Sequence, residues 1–293
     1  MARAQPILPF IAAAAGICTF SMMDATMKGA SIAAGVYSAL LLRCAFGTLL
    51  MLPVWLLSGA RWPAGNVLRI HLLRSTVVAA MALLFFWGLV RIPIAEAIAL
   101  SFIAPLIALY LAAVLLGEII QPKAIVASLL GLIGVLVIAI ARLASGTLGE
   151  QSGWGIGAVL ASAVLYAWNL VLQRQQAQIA GPQEIALFQN LLVAAILGLA
   201  APWLLHWPGA AALRDIALAA ALAGTSLLLL SWAYARAEAQ VLVPVEYTGF
   251  IWAALFGWLK FGEQVNWATL AGAVLIVFGS WIAARRQSPM TAL

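Results

Sequence analysis

Residues 115–142 read LLGEIIQPKAIVASLLGLIGVLVIAIAR, and residues 260–286 read KFGEQVNWATLAGAVLIVFGSWIAARR. Both run in the same order: a Gly-Glu pair, a short polar turn, then a long apolar stretch ending in arginine. Gly117-Glu118 aligns with Gly262-Glu263 and Gly134 with Gly279, each at an offset of 145 residues. Arg91 and Arg236 align at the same offset. The 293-residue chain therefore reads as a tandem repeat, with units expected at 1–145 and 146–293.

Ten apolar segments surround these markers: 7–29, 36–57, 68–90, 95–116, 122–142, 154–174, 184–206, 214–234, 241–261 and 267–285. A hydrocarbon core of ~30 Å takes about 20 residues of helix, so each segment is read as a crossing. Each unit holds five of the ten segments, and an odd number makes the second unit enter the membrane from the opposite side. The expected fold is an all-α membrane protein of ten transmembrane helices, arranged as two five-helix inverted repeats. Alternating-access transporters are built this way. Duplication also produces channels, so a channel stands as the competing class.

Composition supports the membrane reading. Hydrophobic residues make up 66% of the chain and charged residues 8%, against roughly 45–50% and ~25% in soluble domains. The mean hydropathy is +1.09. A soluble enzyme, a disordered chain and a nucleic-acid-binding domain are excluded. The 15 basic residues are scattered singly, so the net charge of +6 is not a nucleic-acid patch. The first segment is too long for a signal peptide, carries Asp24 and Lys28, and precedes Cys18 with a poor lipobox. It is expected to stay as a helix. Cys18 and Cys44 lie in apolar runs and read as small buried hydrophobes.

Basic residues set the expected orientation. With the N-terminus inside, Arg3, Arg61, Arg69, Arg74, Lys123, Arg174, Arg236, Arg285 and Arg286 lie on the cytoplasmic side. Lys28, Arg91, Arg142, Arg214 and Lys260 lie outside. That bias favours cytoplasmic termini in an inner membrane. Trp55, Trp62, Trp154, Trp203, Trp207 and Trp267 sit at segment ends and read as interface anchors.

Residues 91–118, RIPIAEAIALSFIAPLIALYLAAVLLGE, resemble the fourth-helix signature of the drug/metabolite transporter superfamily of the EamA type. Residues 40–53, LLLRCAFGTLLMLP, resemble that family's second helix. The resemblance spans the chain as two tandem EamA units. It implies a secondary transporter exporting amino acids, aromatic or otherwise neutral, or related small metabolites. Family members also carry S-adenosylmethionine or drug-like cations, and distant relatives carry nucleotide sugars. The second unit departs from the pattern, since Phe250 stands where the first has Pro105.

Ionisable groups inside hydrocarbon cost roughly 2.5–3.5 kcal/mol each on insertion scales and so ask for a role. Ser21, Asp24 and Lys28 form one stripe on the first helix. Adding 145 gives Tyr166, Asn169 and Gln173, with Ser162 extending the second stripe. Two such faces are expected to look onto a shared cavity; bonding to neighbouring helices is the plainer alternative. Arg43 invites an Asp24–Arg43 pair, Lys28 an Asp24–Lys28 pair, and Arg74 a pair with Glu246. Each would be either a static staple or a gate.

Glu118 and Glu263 fall at opposite faces, so they are expected to be structural, bonding amides that open the next helix. Glu96 and Glu238 are expected at the interface, and His71 and His206 lack metal-ligand spacing. Pro105 frees the carbonyl of Ser101 in the fourth helix. Phe85, Phe86, Phe102, Tyr110, Trp168, Phe250 and Trp252 fall near mid-membrane with Tyr166 and suit a neutral, amphipathic or cationic solute.

No HExxH, GxSxG, carboxylate dyad or phosphate-binding glycine loop is present in the sequence, so an enzyme and an ATP-driven pump are not expected. No cofactor or metal is implied. The expected partners are a small-molecule substrate and the bilayer. The sequence leaves monomer or homodimer open.

Overall fold

The computed structural model describes residues 7–59, 61–104, 106–108, 110–111, 122–144, 151–234, 236, 245 and 247–284. Helices α1 (Ile7–Ala34), α2 (Val36–Leu57), α3 (Asn66–Leu89), α4 (Ile94–Ser101) and α5 (Pro122–Ala144) form the first unit. Helices α6 (Gln151–Ala177), α7 (Pro182–Gly198), α8 (Ala210–Tyr234), α9 (Gly249–Phe261) and α10 (Trp267–Ala284) form the second, with a one-turn helix Ala201–Leu204 before α8. Five of the described helices, α1, α2, α3, α6 and α8, are long and apolar enough to cross a membrane.

The repeat appears in the packing. α1 lies along α8 as α6 lies along α3, and α2 meets α8 as α7 meets α3. α1 touches α9 as α6 touches α4, while α2 pairs with α7, α4 with α9 and α5 with α10. Exchanging each helix for its counterpart five places on leaves these contacts unchanged, which is the mark of two inverted five-helix repeats.

Bonding explains the shape of α4 and α9. α4 is regular only to Ser101. Phe102 then donates to the carbonyls of both Ile98 and Ala99, and Ile103 donates to Leu100. These i−3 bonds tighten the helix three residues ahead of Pro105, which lies outside the described residues. α9 is regular only from Gly249, after Thr248 donates to Val245 and Phe250 to Tyr247. The irregular points, 102–103 and 247–248, are related by the 145-residue offset. Phe102 and Tyr247, which are repeat mates, meet edge to face with centroids 5.4 Å apart. The pseudo-twofold axis thus passes between the breaks in two counterpart helices. Interruptions at matching positions are where inverted-repeat carriers build their sites.

The core draws on both units. Met27, Leu40, Leu89, Leu100, Ile138, Ile216 and Ile276 are all fully buried. Outside it, Ile7, Leu8, Leu49, Leu57, Ile140, Leu199 and Leu259 stand exposed, a belt that only lipid would tolerate. Trp62, Trp154, Trp203, Trp207 and Trp267 are exposed as expected of anchors. Trp55 is not exposed. It is buried edge to face against Phe188, 5.7 Å away, with Trp62 at 6.4 Å. An indole on α2 gains more from α7 packing than from the headgroup layer.

α5 and α10 cross at glycine. A Cβ on Gly134 would lie 2.6 Å from the Gly272 carbonyl oxygen and 2.6 Å from Ile276. Gly134 therefore meets Gly272, not its repeat mate Gly279. Close backbone approach at small residues is how helices associate where lipid removes the hydrophobic drive. Gly134→Leu should cost about 1–3 kcal/mol by overpacking. It should lower the thermal midpoint of the detergent-purified protein; an unchanged midpoint would show that the crossing does not hold the bundle.

Candidate functional site

Gly262 builds one end of the site. It ends α9 with φ 66°, a left-handed conformation that glycine adopts without penalty. The turn sends the Glu263 amide back to the Gly257 carbonyl at 3.2 Å and lays the carboxylate over the last turn of α9. From there Glu263 binds Lys28 of α1 in an ion pair. Its other oxygen accepts the amide of Ile94, the first residue of α4, at 2.8 Å. Lys28 also donates to the Ile92 carbonyl at 2.7 Å and lies over the Phe261 ring. The helix that Glu263 opens is therefore α4 of the other repeat, not α10. The first turn of α10 is served instead by Asn266, whose Oδ1 accepts the Thr269 amide at 2.6 Å. Lys28 is committed here rather than to Asp24. This cluster lies at the distal face, the side on which α1 ends.

Nearer the other face, Arg74 on α3 is buried against α6. Its Nε donates to Asn169 Oδ1 at 2.9 Å, and its terminal nitrogens donate to Gln176 and, at 3.3 Å, to Gln173. Tyr166 acts on it electrostatically. All three hydrogen-bond partners are neutral amides. Among the described residues no carboxylate lies within 4 Å of the guanidinium. The expected partner Glu246 lies outside the described residues. Behind Arg74, Gln176 bonds His71 Nδ1 at 2.6 Å, and His71 Nε2 bonds Glu184 of α7 at 2.9 Å. This chain runs from Arg74 out toward α7.

Asp24 is 2% exposed, and its Oδ2 has no hydrogen-bond partner among the described residues. No ion pair with Arg43 forms within 4 Å. Arg43 acts on Asp24 only across a longer gap. The Arg43 fork faces Cys44 Sγ at 3.7 Å and Met23 Sδ at 4.0 Å, and its Nε also has no partner among the described residues. Ser21 donates to the Gly249 carbonyl at 3.4 Å, at the break before α9.

Four stripe residues, Ser21, Lys28, Ser162 and Asn169, are buried with Asp24, whereas Tyr166 and Trp168 are 37% and 38% exposed. Trp168 and Asn169, neighbours on α6, point about 100° apart and cannot share one face. Phe85 packs edge to face on Phe86, and Trp252 stacks on Phe256. Ser101 donates to Ala97 at 2.8 Å. Tyr110 is half-buried. Pro105 and Glu118 lie outside the described residues, as does Glu238. Glu96 is not interfacial: it is buried in the first turn of α4 and accepts from Thr269 of α10 at 3.4 Å. An acid there complements the helix dipole.

Sequence reasoning missed the Gln176–His71–Glu184 chain. Its signal is present, since His71 precedes Arg74 by three residues and Gln176 follows Gln173 by three. Among the described residues no group of three His, Cys, Asp or Glu side chains could hold a metal ion.

Comparison with known proteins gives the family and the fold. The sequence matches the EamA-like transporter family over residues 7–140 and 153–285. It is 30% identical over 264 residues to the pseudopaline exporter CntI of Pseudomonas aeruginosa, covering 88% of this chain and 89% of that one. It is 28% identical over 220 residues to a riboflavin transporter of Rhizobium johnstonii, covering 74% and 70% respectively. One solved structure superimposes with a TM-score of 0.65 at 20% identity, over 94% of this chain and 96% of that one; at that identity the likeness concerns the fold.

Glu263→Gln should leave the Lys28 ammonium buried against neutral groups. Breaking one side of such a pair costs about 3–5 kcal/mol, while removing both charges costs far less. Thermal unfolding should therefore show a large loss for Glu263→Gln and partial recovery for the Lys28→Met/Glu263→Gln double variant. Additive losses would mean that the two side chains act separately.

Proposed function

The chain belongs to the EamA-like transporter family, and from that premise we propose that it exports amino acids or related carboxylate-bearing metabolites. It is a multi-pass membrane protein and a transporter of small molecules, not an enzyme. The finer reading rests on one observation. The buried Arg74 guanidinium is held by three amide oxygens, which orient it without neutralising it. Five donors in a planar fork, three of them bonded among the described residues, suit an oxyanion such as a ligand carboxylate.

The printed names of the relatives, a pseudopaline exporter and a riboflavin transporter, show that this fold carries quite different small molecules. Within that range Arg74 selects for an anionic group. An organic cation lacking a carboxylate would be repelled by the same charge, which ranks the drug-like cation alternative lower. S-adenosylmethionine, which has a carboxylate, remains compatible. A passive channel is disfavoured because no ring of like charges or carbonyl filter is read in the sequence.

We place the export machinery in a bacterial inner membrane with both termini cytoplasmic and the duplication boundary at 145/146. The surplus of arginine and lysine on that side supports the orientation. In this setting Arg74 lies toward the cytoplasm, where an exporter loads, and the Lys28–Glu263 pair seals the periplasmic face.

Uptake by inside-out vesicles of amino acids, compared with their decarboxylated amines, tests the substrate class. A charged hydrogen bond is worth about 1.5–3 kcal/mol, so Arg74→Gln should slow transport per folded molecule ~10–100-fold. Arg74→Lys should recover only part of the loss, having the charge but not the fork. Undiminished transport by Arg74→Gln, or equal transport of the amines, would remove the carboxylate reading. Reporter fusions following Arg3 and Arg286 should both read cytoplasmic. A periplasmic signal from either would reverse the orientation.

A further inference from the structure

The two repeats treat one pair of positions differently. Asp24 on α1 and Asn169 on α6 are repeat mates. Arg74 on α3, which binds Asn169, has Ala219 on α8 as its mate. The registers match closely. Ser226 of α8 donates to the Gly16 carbonyl of α1, and Ser162 of α6 donates to the Met81 carbonyl of α3, both at 2.8 Å. Residue 226 is the mate of 81, and 16 is the mate of 161. At the level where α3 presents a guanidinium to Asn169, α8 therefore presents a methyl group to Asp24. α8, the helix packed along the acid's own helix, lacks the arginine that α3 offers to Asn169.

We propose that Asp24 is a proton-binding site, loaded and unloaded as the two repeats exchange positions. The carboxyl lies about 15 Å in from the end of α1. It is 2% exposed, and one of its oxygens has no partner among the described residues. Each helix packed against α1 carries ionisable groups. α2 carries Arg43, with Tyr37 and Cys44; α3 carries Arg69, His71 and Arg74; α8 carries Arg214 and Asp215; α9 carries Lys260. Lys28 and Cys18 share its own helix, and Lys28 is bound to Glu263. Of all these, Arg43 is the group that acts on Asp24, and it forms no ion pair within 4 Å.

A half-compensated carboxylate in hydrocarbon has two accessible states. As –COO⁻ it is held by the remote pull of Arg43. As –COOH, after taking one proton from water on whichever face is open, it is neutral and suited to burial. A metal cation is a poor fit. Sodium needs several oxygen ligands, whereas the Arg43 fork beside this niche faces Met23 and Cys44 sulfurs and repels cations. The site is separate from the Arg74 cage, and it would link transport to a proton gradient whichever molecule is carried.

The test uses the full-length protein in nanodiscs and protons as the only probe. Infrared difference spectra recorded as pH is lowered should show a protonated-carboxyl C=O band that shifts on H/D exchange. Asp24→Asn should lose this band, and Arg43→Gln should retain it to higher pH, because the opposing charge is gone. Exchanging KCl for NaCl should leave it unchanged. A band that survives in Asp24→Asn, or that sodium suppresses, would overturn the proposal. So would a titration unmoved by Arg43→Gln, a check that holds even if Asp24→Asn cannot be purified. No transported molecule enters this experiment, and Arg74→Gln should keep the band, so the outcome is separate from that of the carboxylate reading.

Discussion

A charged side chain or an unpaired amide in hydrocarbon has no water to bond, so the chain must supply every partner itself. That constraint orders the whole molecule. Lys28, buried near the end of α1, is satisfied by a carboxylate from the opposite repeat and a carbonyl before α4. The same carboxylate takes the first orphan amide of α4. One side chain, Glu263, thus joins a helix end, a buried cation and the seam between the repeats. Buried ion pairs of this kind rarely add much net stability, and their best-attested use is to fix register or a switch. Here the pair sits where the repeats must part if the distal face is to open.

The inverted repeat supplies two related conformations, and the residues that break its symmetry make them unequal. Gln173 stands where the first unit has Lys28, and its side chain serves Arg74. The proximal face therefore cannot form a lysine-centred latch. Asp24 and Asn169, Arg74 and Ala219, and Pro105 and Phe250 differ in the same way. Near the axis the pair is conservative: Phe102 meets Tyr247 at the breaks of α4 and α9. Aromatic packing at the axis and chemical asymmetry away from it suit a carrier that rocks about a fixed centre while treating its two faces differently.

Much of the fold was legible because hydropathy and period report on burial directly. The ten segments, the offset of 145 and the odd number of helices per unit lead to the inverted pairing of α1 with α8 and α6 with α3. The polar positions were legible, but the bonds of Asn169 and Gln173 to Arg74 of α3 were not, because the sequence pointed Arg74 to Glu246, which lies outside the described residues. Other partner choices were hidden too. Glu263 looked like a cap for the helix after it, because sequence distance stands in poorly for spatial distance across a pseudo-twofold. Lys28 looked like a partner for Asp24 at i,i+4, but a carboxylate that also takes a helix amide holds it better. His71 looked isolated because its partners, Gln176 and Glu184, lie on two other helices. Glu96 looked interfacial from its place near a helix start, yet Thr269 of α10 covers it.

The central claim is that the faces alternate, with the Lys28–Glu263 seam parting as the opposite side closes. Double electron–electron resonance measures this directly in a background lacking Cys18 and Cys44. Spin labels at positions 91 and 264 would span the distal face, and labels at positions 69 and 236 the proximal face. The Lys28→Met/Glu263→Gln variant should lengthen the first distance and shorten the second relative to the protein with the latch intact. Distances that stay fixed in that variant, or that lengthen together at both faces, would contradict alternation about this seam.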